Sequence, residues 1–320
     1  MFVNYSFKTL LFYKQYYIIL KSIRIKRRIY KIWEKDMKIT IGKTAGFCPG
    51  VRNAVEKAKE ALKIEDKIYC LGEIVHNKQV IQTLEKNGMI TVENIDEIPN
   101  NSKVIFKSHG EPKIRYDIAN EKNLEIIDLT CGNVKSVHLK VEREKKNSFI
   151  IIIGKKNHPE IVGTQGYAGD NSYVIENEDD ILDAYIEYEK TNLGRVYVVS
   201  QTTFSSIKFD ELVGEIETNF IEADIIVDKT ICNATETKQK DTREIAKKAD
   251  VMIVIGGRNS ANTKELIKIA KEECKNVYGI ETAKELENEK FSNVSEVAIT
   301  AGASTPLELI EDVKSFLENK

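Results

Sequence analysis

LEIIDLTCGNVKSVHLKVE, residues 124–142, decides the fold. It begins as a β-branched apolar run, turns through Thr130 and Cys131, and continues beyond Gly132 with the three- and four-residue apolar spacing of a helix. Two other segments repeat this grammar without repeating its letters. KTICNATETKQKDTREIAKKA (229–249) runs from strand end through Thr230 and Cys232 into a helix, and AGFCPGVRNAVEKAKEA (45–61) does so through Cys48 after the run KITIG. Each module therefore offers a cysteine at the carboxyl end of a strand, where open α/β sheets bind ligands. There it also meets a helix N-terminus, whose dipole favours thiolate.

Around these segments the pattern alternates strand and helix. Apolar β-branched runs recur at KITIG, KVIFKS, LEIIDLT, SFIIIIG, RVYVVS, ADIIVDKT, DVMIVIGG and EVAITAG. Helical spacing recurs at VRNAVEKAKEALKI, KQVIQTLEKNG, TKQKDTREIAKKA, TKELIKIAKEE and PLELIEDVKSFLENK. Short apolar strands separated by helices imply βαβ units and parallel sheets. FIIIIG shows no polar alternation, so both its faces should be covered. The expected fold class is α/β, with three similar modules of mainly parallel sheet. The expected boundaries are about 50–131, 132–228 and 229–318, the last joined by 37–49.

The chain has 320 residues, 42% hydrophobic and 31% charged, with net charge −2. That suits a large folded core and gives no overall argument for nucleic acid. Charge is uneven: residues 1–36 hold nine Lys/Arg against Glu34 and Asp36, leaving an acidic body. Lys8, Lys14 and Lys21 interrupt each apolar run before it reaches the ~20 residues of a membrane span. A signal or anchor, a basic surface helix, and translated sequence upstream of a true start at Met37 remain open readings of this leader. The last is favoured, because MKITIGKTAGF opens on a clean strand. Five cysteines without a secretory signal indicate a reducing cytoplasm. Cys70 and Cys274 have no flanking motif and read as structural.

Three thiolates gathered from separate modules can hold an iron–sulfur cluster that keeps one iron open to chemistry. Three of the four histidines, His76, His109 and His158, follow strands beside Gly, Asn or Pro; His138 lies within a helix and reads as structural. Glu160 follows His158 by two residues. In an extended segment the two would share a face, and a glutamate in a dry pocket is a candidate general acid. IVIGGRNSANTKELIKIA and AITAGASTPLELIEDV pass from strand through Gly, Ser, Asn and Thr into helices, the second with Pro306 suited to a first turn. One such segment is plain capping; two together suit a phosphate or diphosphate. Neither is a P-loop. SQTTF adds hydroxyls at another strand end.

AGFCPGV, VHN, SHG, DLTC, NHPEIVGTQG, SQTT, TICNAT, NSAN and TAGASTP occur in this order. Together they resemble the 4-hydroxy-3-methylbut-2-enyl diphosphate reductase family (IspH or LytB), over residues 37 to about 318. The resemblance implies a three-lobed, pseudo-threefold assembly around a central iron–sulfur cavity. It implies one [4Fe–4S] cluster per chain on Cys48, Cys131 and Cys232. It implies reduction of (E)-4-hydroxy-3-methylbut-2-enyl diphosphate to isopentenyl and dimethylallyl diphosphate, the last step of the non-mevalonate isoprenoid route.

By the same resemblance His76, His109, Ser260, Asn262 and Ser304 grip the diphosphate and His158 lines its cavity. Glu160 donates a proton and Thr202 helps relay it. A ferredoxin- or flavodoxin-type electron donor and a cytoplasmic setting are expected, with no nucleic acid and no stable membrane insertion. Two positions depart from the family pattern: Gly132 stands where proline is usual, and Ala261 where a serine touches diphosphate. One lost hydroxyl bond is worth about 0.5–1.5 kcal/mol. Ala261→Ser is therefore expected to lower KM or leave it; a marked rise in steady-state assays would show a pocket adapted to alanine. A zinc or thiol hydrolase using Cys131 or Cys232, and an electron carrier without substrate, are the competing readings. The first leaves three equivalent cysteine turns unexplained. The second leaves the phosphate loops and Glu160 unexplained.

Overall fold

The computed structural model describes residues 37–292 and 294–320. The readings of the leader, residues 1–36, fall outside the described residues. Among the latter are twelve strands: β1 (Lys38–Ile41), β2 (Ile68–Leu71), β3 (Met89–Val92), β4 (Lys103–Phe106), β5 (Glu125–Asp128), β6 (Phe149–Ile153), β7 (Ser172–Ile175), β8 (Arg195–Ser200), β9 (Asp224–Val227), β10 (Val251–Ile255), β11 (Val277–Ile280) and β12 (Glu296–Ala301). They form three four-stranded sheets, ordered β3-β2-β4-β5, β7-β6-β8-β9 and β11-β10-β12-β1. Every strand pair is parallel.

The three orders are one topology repeated. The first strand of each module lies inside, the second flanks it at an edge, the third takes its other side, and the fourth closes the far edge. In the third sheet the fourth place is taken by β1, which pairs Lys38 with Glu296 through Ile41 with Ile299. The chain thus closes a pseudo-threefold ring on its own first strand.

Burial explains why the strands are so apolar. All five residues of β6 are buried, as FIIIIG implied. Phe149, Ile151 and Ile153 pack into one core cluster, and Ile150 and Ile152 into another on the opposite face. β10 divides likewise, with Val251, Ile253 and Ile255 on one side and Met252 and Val254 on the other. Side chains alternate across a strand, so a sheet covered on both faces needs apolar residues at every position.

The edge strands β3, β7 and β11 were not among the apolar runs recognised in the sequence. Each is four residues long and only partly buried, so its pattern is too short and too mixed to register.

Three helices carry the chain from one sheet to the next: α1 (Pro49–Ala61), α4 (Gly132–Glu144) and α8 (Asn233–Ala246). Their N-cap residues are Cys48, Cys131 and Cys232. The other helices are α2 (Lys78–Glu85), α3 (Lys113–Glu121), α5 (Pro159–Ala168), α6 (Asp180–Glu189), α7 (Ser206–Asn219), α9 (Ala261–Glu273) and α10 (Leu307–Glu318). Pro306 is the N-cap of α10, one residue before the first turn in which the sequence placed it.

Candidate active site

All three sheets turn their carboxyl strand ends toward one cavity. Beyond the first strands lie His76 (after β2), His158 and Glu160 (after β6), and Ser260 and Asn262 (after β10). Beyond the third strands lie His109 (β4), Thr202 (β8) and Ser304 (β12). Beyond the fourth lie Cys131 (β5), Cys232 (β9) and Cys48 (β1). All of these residues line the cavity.

The cysteines are fixed by one device used three times. Cys48 N–H donates to Ala303 O (3.1 Å), Cys131 N–H to Ser108 O (3.0 Å) and Cys232 N–H to Thr202 O (2.9 Å). Each acceptor lies two residues past the third strand of the same sheet. The fourth-strand turn is thus latched to the third-strand turn, and the thiol is left facing inward. No disulfide joins any of the five cysteines.

Helix-start N–H groups point at the sulfurs: Val51 N lies 3.5 Å from Cys48 Sγ, and the Asn133 and Val134 amides face Cys131. Burial raises the Cys131 pKa against those amides, so metal binding there must displace a proton. Gly50 is needed where it stands, because a Cβ would come within 2.6 Å of Cys131 Sγ. At Gly132 a Cβ would meet nothing within 4 Å, so steric space does not require glycine there.

Three histidines form one wall of the cavity that the thiols also line. His76 and His109 stack with centroids 4.5 Å apart, and His158 meets both edge-on at 5.7 and 5.4 Å. Glu73 Oε2 takes His76 Nδ1 at 3.0 Å, which leaves Nε2 buried without a protein partner. His109 Nδ1 and both side-chain polar atoms of Asn262 are likewise buried and unpartnered. Buried polar groups are normally satisfied, so this cluster of orphans marks a place for a polar ligand. Ser260 caps α9 through Thr263 N (3.2 Å), and Ser304 Oγ donates to His76 O (3.2 Å). At Gly257 a Cβ would lie 2.3 Å from that same carbonyl, so glycine lets the Ser260 loop close on the neighbouring module.

His158 and Glu160 do share the cavity, though not as residues of an extended segment. Pro159 starts α5, and His158 is its N-cap, with Nδ1 accepting from Glu160 N–H at 3.2 Å. Glu160 is 3% exposed. Its Oε1 accepts from Thr202 N–H at 2.5 Å and its Oε2 from Thr202 Oγ–H at 2.9 Å. Burial nevertheless outweighs these bonds and lifts its pKa to about 7.

The sequence reading missed further lining residues. Ser108, Asn133, Thr203, Thr235 and Lys238 also line the cavity. Ser108 and Thr203 adjoin recognised residues; Lys238 is one of several charged residues within a helix and had no signal. Cys70, Cys274 and His138 do not line it. Cys70 is buried, pushed up to about 12, and donates to Gly72 O. Cys274 donates to Ala249 O and Asn276 O. His138 is buried and stacks on Tyr167 at 4.3 Å.

Burial lowers the pKa of His109 well below its ordinary value, and of His138 and His158 to about 4. Between about pH 4 and 6.5 the unfolded chain binds protons at these histidines that the folded chain does not. Their contribution is full above pH 6.5 and is lost as pH falls toward 4. Glu160 acts in the opposite sense, being protonated in the fold between about 4.5 and 7. Burial raises the Glu111 pKa in the same sense; with three histidines against two carboxyls, the Tm of the metal-free protein is expected to fall on acidification across this window. His138→Gln should flatten the slope, as thermal denaturation at graded pH would read.

Among the described residues no helix is long and apolar enough to cross a membrane. The LytB protein family model matches residues 39–318. A 4-hydroxy-3-methylbut-2-enyl diphosphate reductase of Clostridioides difficile is 40% identical over 285 residues, covering 88% of this chain and 100% of its own length. The Aquifex aeolicus protein of the same name is 42% identical, covering 88% and 96%. The structure of the E-1-hydroxy-2-methyl-but-2-enyl-4-diphosphate reductase from Plasmodium falciparum superposes with a TM-score of 0.79 at 31% identity, over 88% of this chain and 87% of that one. A structure described as (E)-4-hydroxy-3-methyl-but-2-enyl diphosphate reductase, the terminal enzyme of the non-mevalonate pathway, matches with a TM-score of 0.65 at 41% identity, over 89% and 100%. With the family model spanning all three sheets and these relatives matched nearly end to end, the chain belongs to the LytB family of 4-hydroxy-3-methylbut-2-enyl diphosphate reductases.

Proposed function

We propose that this chain removes the hydroxyl of (E)-4-hydroxy-3-methylbut-2-enyl diphosphate as water, taking up two electrons and two protons and releasing isopentenyl or dimethylallyl diphosphate. One observation carries the reading: the three fourth-strand cysteines, the three histidines, Glu160 and the Ser260–Asn262 turn face one cavity. The donor set fits a [4Fe–4S] cluster. Three free thiols come from equivalent turns, each at a helix start, with none engaged in a disulfide. Cys48, Cys131 and Cys232 would hold it. When bound it would supply electrons and an open iron acting as a Lewis acid at the substrate oxygen.

The rest belongs to the chain's own side chains. His76, His109, Asn262, Ser260 and Ser304 bind the diphosphate by short hydrogen bonds, and His158 completes the wall. Holding the anion there points the allylic end toward the thiols. Glu160, protonated near neutral pH, gives its proton to the leaving oxygen, and Thr202, bonded to both its oxygens, orients it and relays the next. The division into modules 50–131, 132–228 and 229–318 with 37–49 belongs to the same proposal, since each sheet falls within one of them. So do a ferredoxin- or flavodoxin-type donor and a cytoplasmic setting.

Iron and acid-labile sulfide on protein purified without oxygen test the reading. About four of each per chain are expected. No sulfide after anaerobic reconstitution would sink it and bring the hydrolase reading forward.

A further inference from the structure

The residues given a role so far are neutral donors, thiols and one carboxyl; the cavity wall also contains a buried cation. Lys238 lies six residues after Cys232 on α8, is 2% exposed, and lines the cavity with all three cysteines. Its Nζ donates to Thr44 O, to Gly46 O at 3.1 Å and to Ala301 O at 3.1 Å. An ammonium has three donors, and all three go to main-chain carbonyls.

Those carbonyls belong to the turn that carries Cys48 and to the end of β12. Asp241, three residues further along α8, completes the grip: its Oδ2 accepts from Thr44 N–H and from the Thr44 hydroxyl, both at 2.9 Å. The helix capped by the third cysteine thus clasps the loop that delivers the first. A surface lysine would do none of this, and isolated burial of a cation is costly. Burial lowers the Lys238 pKa to about 8, while Cys48 and Asp241 favour its charged form, and the three carbonyls take up all three protons of the ammonium.

We propose that Lys238 is a positioning residue that sets the electrostatics of the metal centre: as an ammonium held by three carbonyls it fixes the Cys48 turn and places a positive charge beside the thiolates. Three thiolates around a [4Fe–4S]²⁺ core sum to −1, and one-electron reduction takes the assembly to −2. A buried cation favours the more negative state, so Lys238 makes the centre easier to reduce. This inference rests on the iron–sulfur reading, which iron and sulfide analysis tests separately.

The test is the midpoint potential of the anaerobically loaded protein, followed by electron paramagnetic resonance, in the wild type, Lys238→Gln, Lys238→Met and Lys238→Arg. Gln keeps two N–H donors for the carbonyls but no charge; Arg keeps the charge. Both neutral variants should shift the potential to more negative values, and Lys238→Arg should restore it. An iron-loaded Lys238→Gln with the wild-type potential overturns the proposal. So does a Lys238→Arg that loads but behaves like the neutral variants, since size would then matter rather than charge. Should Lys238→Met fail to fold, Lys238→Gln carries the measurement.

Discussion

Glu160→Gln is expected to lower kcat by about 10²- to 10⁴-fold, the range associated with a positioned general acid. Iron content should stay at the wild-type level and KM should change little. The argument starts from burial. Glu160 is 3% exposed at the second residue of α5, and its pKa lies at about 7 rather than in the usual carboxylate range. It can therefore hold a proton at neutral pH and still release it.

Glutamine matches its shape and volume but has no proton to give. The substitution also turns an amide toward one of the two Thr202 donors that now meet carboxylate oxygens. Wild-type turnover should decline as pH rises through about 7, where the acid is lost, and the residual activity of the variant should not follow that decline. Single-turnover assays with iron quantified on the same sample decide the matter. An iron-replete variant with the wild-type rate removes Glu160 from the acid role.

Cys48→Ser, Cys131→Ser and Cys232→Ser are each expected to abolish turnover, with iron falling well below four per chain. The three sit at equivalent fourth-strand turns, each latched by its N–H to the third-strand turn beside it. That equivalence predicts equal severity, with no one of them dispensable. Cys70→Ser and Cys274→Ser are the controls. Both residues are buried, but their thiols meet main-chain carbonyls outside the cavity, so iron and turnover should survive at a modest cost in Tm. Full iron in any of the first three variants, or loss of iron in the controls, would reassign the ligands.

The sequence by itself determined the elements with strong periodicity and the residues with their own chemical signature. Runs such as FIIIIG can be satisfied only by a strand covered on both faces, and β6 is buried at every residue. Cysteines after Thr-marked strand ends, histidines beside Gly and Pro, and Ser/Asn-rich helix starts were visible because their backbone setting is local. The edge strands β3, β7 and β11 escaped because four half-buried residues carry no clear period.

What only the tertiary structure decided is whatever depends on one module meeting another. The sequence does not state that β1 completes the third sheet, for its partner β12 is some 250 residues away, with Lys38 opposite Glu296. The resemblance paired Glu160 with Thr202, but the two bonds between them and the rise of the Glu160 pKa depend on dry surroundings supplied by distant loops. Lys238 is the clearest case. In the sequence it is one charge on a helix rich in them, and only the closing of α8 on the Cys48 turn removes it from water. Local chemistry is written along the chain; burial and partnership are properties of the assembled ring.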